Sequence, residues 1–541
     1  MGECPGRSTP MAARSQMLQV RHGLAIRSGD GMATRSSWTP SVSTTGPGSI
    51  AAAILAAKRC TPRKNIDVAT WATWMSRSPW MTPSLTTGPL HSRSLTCCRP
   101  TQTFWNTCAM KTRRIEFTWS GRRSITAAGW LCSSGSYVLA LSGSLLALMV
   151  AAAAPEPIPR AAPEAVGLAP ARLREATDLL SGFVAERKIA GAVAAVARKG
   201  KLAYLEPVGV QDLVTRVPMG ERSIFRIYSM SKSVTAAAVM MLLEEGRFAL
   251  NDPVSKYLAE FKQVRVVSPD AAVREPAREI TVQDLLLHTS GLNHRTSDEY
   301  TRAQVRSRDI TLPRFISNIV RVPLMEDPGV RYRYSEATTV LGRLVEIWSG
   351  KPLDVFLDQR VFRPLGMIDT GFWVRREQRP RLAAVYGPSH DGGLALIEIE
   401  VVPFTKRPAL LEGAVGLVST VPDYLRFSLM LLNRGELNGV RILRAKTVDT
   451  MTGNSLSDPV LKARGGAMGW GLANVNVVLD PTGLNYPANR GEYGWDGTAG
   501  TIFWTDPARE MVTILMTQSS PANPDSLRQR FKTLVQQAVV D

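Results

Sequence analysis

Apolar segments of strand length occur twice in this chain, once after residue 190 and again near the C-terminus, with a helix-rich stretch between them. Residues 190–206 predict two strands joined at Gly200. Residues 501–505 and 511–517 predict a second hairpin, and the apolar spacing within 527–538 predicts a closing helix. Strands from distant parts of a chain bury their apolar faces by joining one sheet. The sequence therefore predicts an α+β fold whose sheet is completed by the C-terminus.

The 541 residues divide into regions of different composition. Residues 1–109 show no sustained helical or alternating period, so we interpret them as disordered or as a non-native upstream extension. Residues 155–541 are predicted to form one domain. Its α/β part spans about 165–250 and 400–541, and its helical part spans about 251–400.

The segment 110–154 has the features of an export signal. It begins with the basic "MKTRR" at Met110, continues to an apolar run over 137–154, and ends with the small residues Ala152 and Ala154 at signal-peptidase spacing. We expect translation to start at Met110 and the product to be exported, either periplasmic or secreted. The alternative is a membrane anchor, since about 18 apolar residues are borderline for a span. If the segment does not act as a signal, the protein is membrane-anchored or cytoplasmic.

Cysteine and charge placement exclude several function classes for the main domain. All six cysteines lie within the first 132 residues, which excludes disulfides and thiolate metal sites beyond them. The net charge of +19 also resides mainly in the N-terminal region, because the first 154 residues carry 17 Lys and Arg against 4 Asp and Glu. No periodic helix presents a basic face, so nucleic acid is not an expected partner. Contact with a membrane is expected only through the N-terminal segment.

Ser229 and Lys232 lie one helical turn apart at the start of a predicted helix, in "YSMSKSVTAAAVMMLLEEG". A serine becomes a nucleophile when a base takes its proton, and a desolvated lysine can be neutral enough to do so. The positive end of the helix favours the negative charge that develops. Because Ser-x-x-Lys is a common spacing, the structural alternative is a capping serine and a lysine that reaches water.

Tyr334 stands where the loop "DPGVRYRY" meets a predicted amphipathic helix. A phenol in a cleft beside a cation would have its pKa lowered toward base function. The alternative is a packed tyrosine with a hydrogen-bonded hydroxyl. A third candidate segment is "GWDGTAG", in which Trp495, Asp496 and Gly497 begin what we predict to be an edge strand.

Five segments resemble, in order, the serine β-lactamase and penicillin-binding-protein superfamily, and most closely the family VIII carboxylesterases. They are "YSMSK", "ITVQDLLLHTSGL", "PGVRYRYS", "GAVGLVSTVPDYLRF" and "WDGTAG", and the resemblance covers about 155–541. It implies a β-lactamase/transpeptidase-like fold, in which an antiparallel sheet flanked by helices lies beside a mostly helical subdomain. The active site would lie between the two parts. It implies no metal and no organic cofactor.

The resemblance also implies a role for each residue of the site. Ser229 would be the acylated nucleophile, with Lys232 and Tyr334 as a coupled acid/base pair. The backbone N–H groups of Ser229 and Thr498 would form the oxyanion hole. Gly497 would leave room for an acyl group lying along the strand.

The sequence departs from the penicillin-recognising members at the substrate-binding positions. Those members have Lys or His where this chain has Trp495, and many have Asn where it has Glu336. An indole provides no positive charge, and ionised Asp496 and Glu336 would repel an anion. Family VIII esterases commonly have Trp-Gly-Gly, so Trp495 fits them and Asp496 is unexpected.

We therefore expect hydrolysis of a small neutral ester, short-chain or aromatic, through an acyl-enzyme. The alternatives are a class C-like β-lactamase or D-amino-acid peptidase that uses the same residues, and an inactive homologue that serves binding or assembly. The complete set Ser229, Lys232 and Tyr334 counts against the last alternative.

Two further polar residues are predicted to be structural. His288 follows a helix that Thr281 and Asp284 can start as a capping box, so its imidazole is expected to satisfy carbonyl groups at the C-terminal end of that helix. Asp423 is expected to join Thr420 in capping the next amphipathic helix. No partner is identifiable for His294 or His390.

Overall fold

The computed structural model describes residues 113–117, 125–129 and 156–540, apart from 269, 271, 391 and 399–402. The chain separates into two units, Met1–Tyr137 and Val138–Asp541. In the first, Arg113–Phe117 pairs antiparallel with Ile125–Gly129. The remaining predictions for 1–154, including the export signal or anchor, concern residues outside the described part.

The second unit is built on a seven-stranded antiparallel sheet with the order β3-β4-β5-β6-β7-β1-β2. The C-terminal strand β7 pairs with the N-terminal strand β1 from Met511 opposite Arg198 to Thr517 opposite Ala192. The predicted α+β fold closed by the C-terminus is thereby confirmed. The strands are β1 (Gly191–Arg198), β2 (Lys201–Gly209), β3 (Met468–Gly471), β4 (Val475–Val478), β5 (Tyr493–Asp496), β6 (Ile502–Asp506) and β7 (Met511–Thr517).

Helices cover both faces of this sheet, and most of them belong to the part of the chain between β2 and β3. Two short helices, Leu353–Leu357 and Arg363–Leu365, are joined by a π-helical turn over Asp358–Phe362. The helices are α1 (Pro170–Ala185), α2 (Ser231–Glu244), α3 (Val282–Leu287), α4 (Asp298–Arg302), α5 (Leu312–Ile319), α6 (Ala337–Ser349), α7 (Leu353–Leu357), α8 (Arg363–Leu365), α9 (Val421–Leu432), α10 (Ala445–Thr452), α11 (Asp458–Ala463) and α12 (Leu527–Gln537).

Four short antiparallel pairs complete the strands described in this unit. They are Phe225–Arg226 with Val418–Ser419, Val266–Val267 with Val273–Arg274, Tyr386–Pro388 with Leu394–Leu396, and Glu436–Leu437 with Val440–Arg441. In the described part of the chain, no helix is long and apolar enough to cross a membrane.

Strand β1 separates two hydrophobic cores. All eight of its residues are buried, which requires a strand covered on both faces. Alternate side chains point to opposite faces, so Val193 and Ala195 join the core shared with α2 and α6, while Ala194 and Val196 join the core under α1 and α12. Helix α2 lies within the first core, because every residue from Ser231 to Leu242 is buried.

The prediction that Trp495, Asp496 and Gly497 begin an edge strand is wrong. Strand β5 pairs with β4 on one side and with β6 on the other. The pairing with β4 ends at Gly494, however, so only Trp495 and Asp496 have one side without a neighbouring strand. The local pattern could not reveal β4, because that strand is short and a long loop follows it.

Helix α12 is attached to the sheet by a buried ion pair. Lys532 Nζ donates a hydrogen bond to the Glu492 carboxylate, and each side chain is 2% exposed. The same ammonium lies 4.6 Å from the ring centre of Tyr486 and 5.3 Å from that of Trp504. The pair therefore joins the closing helix to the residue that precedes β5.

We expect Lys532→Met to lower the free energy of unfolding by about 3–5 kcal/mol, because it leaves the Glu492 carboxylate buried without its cation. Urea denaturation at pH 7 measures this change. The matched control is Arg434→Met, which breaks the exposed pair with Asp449 and should change stability by about 1 kcal/mol or less. Equal effects of the two substitutions would contradict the expectation.

Candidate active site

Ser229 lies in a short 3-10 turn, Tyr228–Met230, that leads into α2. The preceding Tyr228 has a φ of 41°, a left-handed conformation that is unusual for a bulky side chain. Ser229 is 8% exposed. Helix α2 begins at Ser231 and has no side-chain cap, so the alternative that Ser229 serves as its capping residue is wrong.

Lys232 is 1% exposed, so the alternative of a lysine that reaches water is also wrong. Its Nζ donates hydrogen bonds to Ser229 Oγ at 3.4 Å and to the Ala414 carbonyl at 3.1 Å. Burial lowers the pKa of Lys232 to about 8, and the negative charge of Glu336 opposes that shift. The structure therefore holds, beside the serine hydroxyl, an amine that is partly neutral near neutral pH.

Tyr334 lies opposite Lys232, where the loop enters α6. Its ring centre is 4.6 Å from Lys232 Nζ, and its hydroxyl accepts a hydrogen bond from Trp495 Nε1 at 3.1 Å. Burial raises the pKa of Tyr334, and hydrogen bonds with Ser229 and Trp495 only partly oppose this rise. The prediction that a neighbouring cation lowers this pKa is therefore wrong, because desolvation of the phenolate is the larger effect.

Two histidines lie against the ring of Tyr334. His294 stacks on it with ring centres 5.7 Å apart, and His288 approaches to 4.9 Å. Burial lowers the pKa of His294 to about 4, so its ring is neutral at pH 7. No partner for His294 is identifiable from the sequence, where only its place after the "HTSGL" segment could have suggested one.

His288 is structural, but its contacts differ from those predicted. It ends α3 with a φ of 54° and is fully buried, and Thr281 and Asp284 form the predicted capping box. Its Nδ1 accepts the Ser335 N–H at 3.3 Å and lies 3.1 Å from Ser335 Oγ, instead of satisfying helix carbonyls. His288 thus holds the Ser335 backbone, which in turn positions the preceding residue, Tyr334.

Asp423 is also buried within the protein framework. Thr420 caps α9 by accepting the Asp423 N–H, as predicted. The Asp423 carboxylate accepts hydrogen bonds from the Asp369 N–H at 2.7 Å and from the Thr370 hydroxyl at 3.0 Å. These contacts fix a loop and leave no role in the chemistry.

Glu336 is buried close to Lys232. It is 1% exposed, and its carboxylate accepts a hydrogen bond from Thr339 Oγ1 at 2.8 Å. The expectation of a substrate-binding Glu336 is therefore corrected, because the carboxylate is enclosed by protein. Burial and the neighbouring carboxylate of Glu412 raise its pKa, while Arg306 binds Glu412 through two hydrogen bonds of 2.6 and 2.7 Å.

The end of β5 approaches the turn that carries Ser229 very closely. A Cβ on Gly497 would lie 2.4 Å from the Ile227 carbonyl oxygen and 2.3 Å from Thr501 Oγ1. Glycine is therefore required by the packing of this protein, whether or not it also leaves room for an acyl group. Among the described residues, the Thr498 N–H has no backbone acceptor, so it is available to an oxyanion.

Trp495 and Asp496 point to opposite faces of β5. Trp495 faces Tyr334 and Trp470, and its ring centre lies 5.1 Å from that of Tyr334 and 4.7 Å from that of Trp470. Asp496 forms an ion pair with Arg528 of α12 on the reverse face. No group of potential metal ligands occurs in the described ranges.

Comparison with known proteins agrees with this architecture. The Beta-lactamase family profile matches residues 176–537. Protein Rv1367c of Mycobacterium tuberculosis is 35% identical over 357 residues, which is 62% of this chain and 86% of that protein. Esterase EstB of Burkholderia gladioli is 29% identical over 358 residues, which is 62% of this chain and 87% of EstB.

The solved structures include a similar hydrolase. EstCE1, described as a hydrolase with promiscuous acyltransferase activity, superposes with a TM-score of 0.60 at 25% identity. The superposition covers 69% of this chain and 99% of EstCE1. With its β-lactamase/transpeptidase-like sheet and helices, this chain belongs to the Beta-lactamase family of hydrolases.

Proposed function

We propose that this protein is a serine carboxylesterase of the family VIII type, which cleaves neutral short-chain or aromatic esters through an acyl-enzyme on Ser229. The observation that carries the proposal is the contact between Trp495 Nε1 and the Tyr334 hydroxyl. An uncharged indole stands where penicillin-recognising relatives hold a cation, so this position offers a substrate an apolar wall in place of a positive charge.

Acylation needs a base, an acid and an oxyanion hole. Lys232, in its neutral form, takes the Ser229 proton while Oγ bonds to the ester carbonyl carbon. The N–H groups of Ser229 and Thr498 hold the oxygen that becomes negative. The bond to the alcohol then breaks, and Tyr334 gives its proton to the departing oxygen and recovers one from Lys232.

Deacylation uses the same groups in reverse. Water attacks the acyl carbon, gives a proton to the Lys232–Tyr334 pair, and the carboxylic acid leaves as the proton returns to Ser229 Oγ. Because Trp495 donates its N–H to the Tyr334 oxygen, the phenol hydrogen is free to point toward the serine. The indole thus orients the acid that serves both half-reactions.

Hydrolysis of p-nitrophenyl butyrate and of nitrocefin by the full chain tests the proposal, with Ser229→Ala and Tyr334→Phe as controls. We expect turnover of the ester to exceed that of nitrocefin and to require both residues. Much faster nitrocefin turnover would favour the β-lactamase alternative. No turnover of either compound, together with no labelling of Ser229 by a fluorophosphonate, would favour an inactive homologue.

Two substitutions of Trp495 separate the effect of its hydrogen bond to Tyr334 from the effect of its lack of charge. We expect Trp495→Phe to lower kcat for the ester about tenfold, because it removes one hydrogen bond worth roughly 1.5 kcal/mol while keeping an apolar wall. Trp495→Lys should raise the ratio of nitrocefin to ester turnover, since it restores a cation. Steady-state kinetics measures both, and Trp373→Phe, which alters an indole beside Arg407, is the control. An unchanged ratio in Trp495→Lys would contradict the substrate assignment.

We also propose that the segment from Met110 directs export of the protein, with cleavage near Ala154. The support is the sequence pattern of a basic start, an apolar run and small residues. N-terminal sequencing of protein recovered outside the cytoplasm tests this, and an intact Met1 would contradict it.

A further inference from the structure

Arg528 connects the last helix to the turn that carries the oxyanion donor. It is the second residue of α12 and is 7% exposed. Its Nη1 binds the Asp496 carboxylate, and its Nη2 donates to the Gly497 carbonyl at 2.9 Å and to the Thr501 carbonyl at 3.2 Å. All three acceptors belong to the end of β5 and the turn that follows, and Thr498 lies between them.

On the side of β7, the turn is held by hydrogen bonds from the Ser519 N–H to the Ala499 carbonyl at 2.9 Å and from Thr517 Oγ1 to the Gly500 carbonyl at 3.3 Å. On the side of α12, a cavity of about 300 Å³ lies beside β5, bounded by residues that include Asp496, Trp504 and Arg528. The pairing of β5 with β4 also ends at Gly494. Within the turn, the Gly497 N–H donates to the Thr501 carbonyl at 2.8 Å and the Gly500 N–H donates to the Gly497 carbonyl at 3.1 Å. Arg528 binds the same two carbonyl groups and therefore fixes the turn from outside.

Asp496 and Arg528 depend on each other. The Arg528 side chain is 9% exposed, so its charge needs a nearby anion, and Asp496, which is 41% exposed, supplies it. A guanidinium can bind a carboxylate and two carbonyl oxygens at once because its donors are fixed in a plane. This arrangement gives the unexpected Asp496 a structural reason, since a glycine at that position would leave Arg528 without a counter-ion.

We propose that the Asp496–Arg528 pair positions the Thr498 N–H for oxyanion binding, so that the closing helix sets the geometry of the active site. The proposal rests on the esterase function proposed above. An oxyanion donor must lie about 2.7–3.1 Å from the oxygen that becomes negative, and loss of one donor lowers kcat about 10²–10³-fold. A displacement of about 1 Å can cost about 10²-fold even when no catalytic group is removed. Asp496 and Arg528 are thus positioning residues that act through Thr498.

The test uses the full chain with Asp496→Asn, Arg528→Met and Arg528→Lys. Arg530→Met is the matched control, because Arg530 lies on the same helix with its guanidinium 5.0 Å from the Phe183 ring. For each protein, kcat and KM are measured with p-nitrophenyl butyrate, the rate of Ser229 labelling is measured with a fluorophosphonate, and Tm is measured by circular dichroism.

We expect Arg528→Met to lower kcat and the labelling rate about hundredfold, as expected when an oxyanion donor is displaced, with KM changed less than threefold. Asp496→Asn should lower both rates about tenfold, since the two carbonyl contacts of Arg528 remain. Arg528→Lys should restore little of the rate, because one ammonium cannot bind all three acceptors. Arg530→Met should match the wild type in kcat and in labelling.

Three outcomes would overturn the proposal. In the first, Asp496→Asn has a kcat within twofold of the wild type. In the second, the Asp496 and Arg528 variants lose no more rate than Arg530→Met does. In the third, the loss of rate in the Asp496 and Arg528 variants follows the fall in Tm alone. If Arg528→Met does not fold, Asp496→Asn decides the question. The labelling rate needs no ester turnover, so a wild type that is labelled but hydrolyses no ester would contradict the esterase function and still test the positioning role.

Discussion

Ser229→Ala is expected to lower kcat/KM for p-nitrophenyl butyrate by at least about 10⁴-fold, because the acyl-enzyme can no longer form. The hydroxyl is the group that Lys232 Nζ reaches at 3.4 Å, and it also shares a hydrogen bond with the Tyr334 side chain. Labelling by a fluorophosphonate, measured by intact mass, should disappear together with turnover.

Ser231→Ala is the control for this experiment. Ser231 is fully buried two residues along the chain, and its Oγ accepts the Leu417 N–H at 3.1 Å. Its loss should lower stability by about 1–3 kcal/mol by leaving a buried N–H unpaired, with labelling of Ser229 retained. If Ser229→Ala kept more than a hundredth of the activity, or was still labelled, another residue would be the nucleophile.

Lys232→Met is expected to change activity and stability in opposite directions. Activity should fall about 10²–10⁴-fold, because the general base is lost. Stability at pH 7 should rise by about 3–4 kcal/mol, since the pKa of Lys232 is lowered from 10.5 to about 8 by burial and each unit corresponds to about 1.4 kcal/mol. Kinetics and urea denaturation measure the two effects.

The lowered pKa of Lys232 also predicts how the activity and the stability of the wild type depend on pH. Only the neutral amine accepts the serine proton, so kcat/KM should rise with pH and level off above about pH 8. Below pH 8 the amine is protonated in both the folded and unfolded states, and the folded state bears the full cost of burying the charge. Between about pH 8 and 10.5 the unfolded state binds more protons, so stability rises with pH through this range.

The matched control for Lys232→Met is Lys256→Met. It removes a lysine whose side chain is 54% exposed and pairs with Asp252. It should leave activity unchanged and alter stability by about 1 kcal/mol or less. A rate that fell with rising pH between 7 and 9, or a loss of stability in Lys232→Met that matched its loss of activity, would contradict the assignment of Lys232 as the base.

Local pattern was enough to predict the two hairpins and the amphipathic helices, because each has its own period and its own turn residues. Residues 190–206 became β1 and β2, and the predicted pair near the C-terminus became β6 and β7 with bounds shifted by at most one residue. The order of five motifs led to the family, which the comparisons confirm. These features depend on neighbours in sequence.

The features that the sequence did not reveal depend on partners distant along the chain. The pKa of Tyr334 is raised by burial, which no local motif encodes. The counter-ion of Asp496 lies 32 residues away on the last helix. His294 meets Tyr334 only because α3 and α6 bring their ends together, which is also how His288 comes to hold Ser335. Tertiary contacts of this kind decide the electrostatics of the site.

The pairing of β7 with β1 also governs when this protein can become an enzyme. The two strands are more than 300 residues apart in sequence, so the side of β1 away from β2 remains unpaired until nearly the whole chain has been synthesised. Until then its apolar residues and open backbone are exposed to other chains, which is the condition under which large domains aggregate. A stop codon that removed only β7 and α12 would leave Ser229, Lys232, Tyr334 and Thr498 all encoded, in a chain that has neither a closed sheet nor the Arg528 side chain that binds the turn around Thr498.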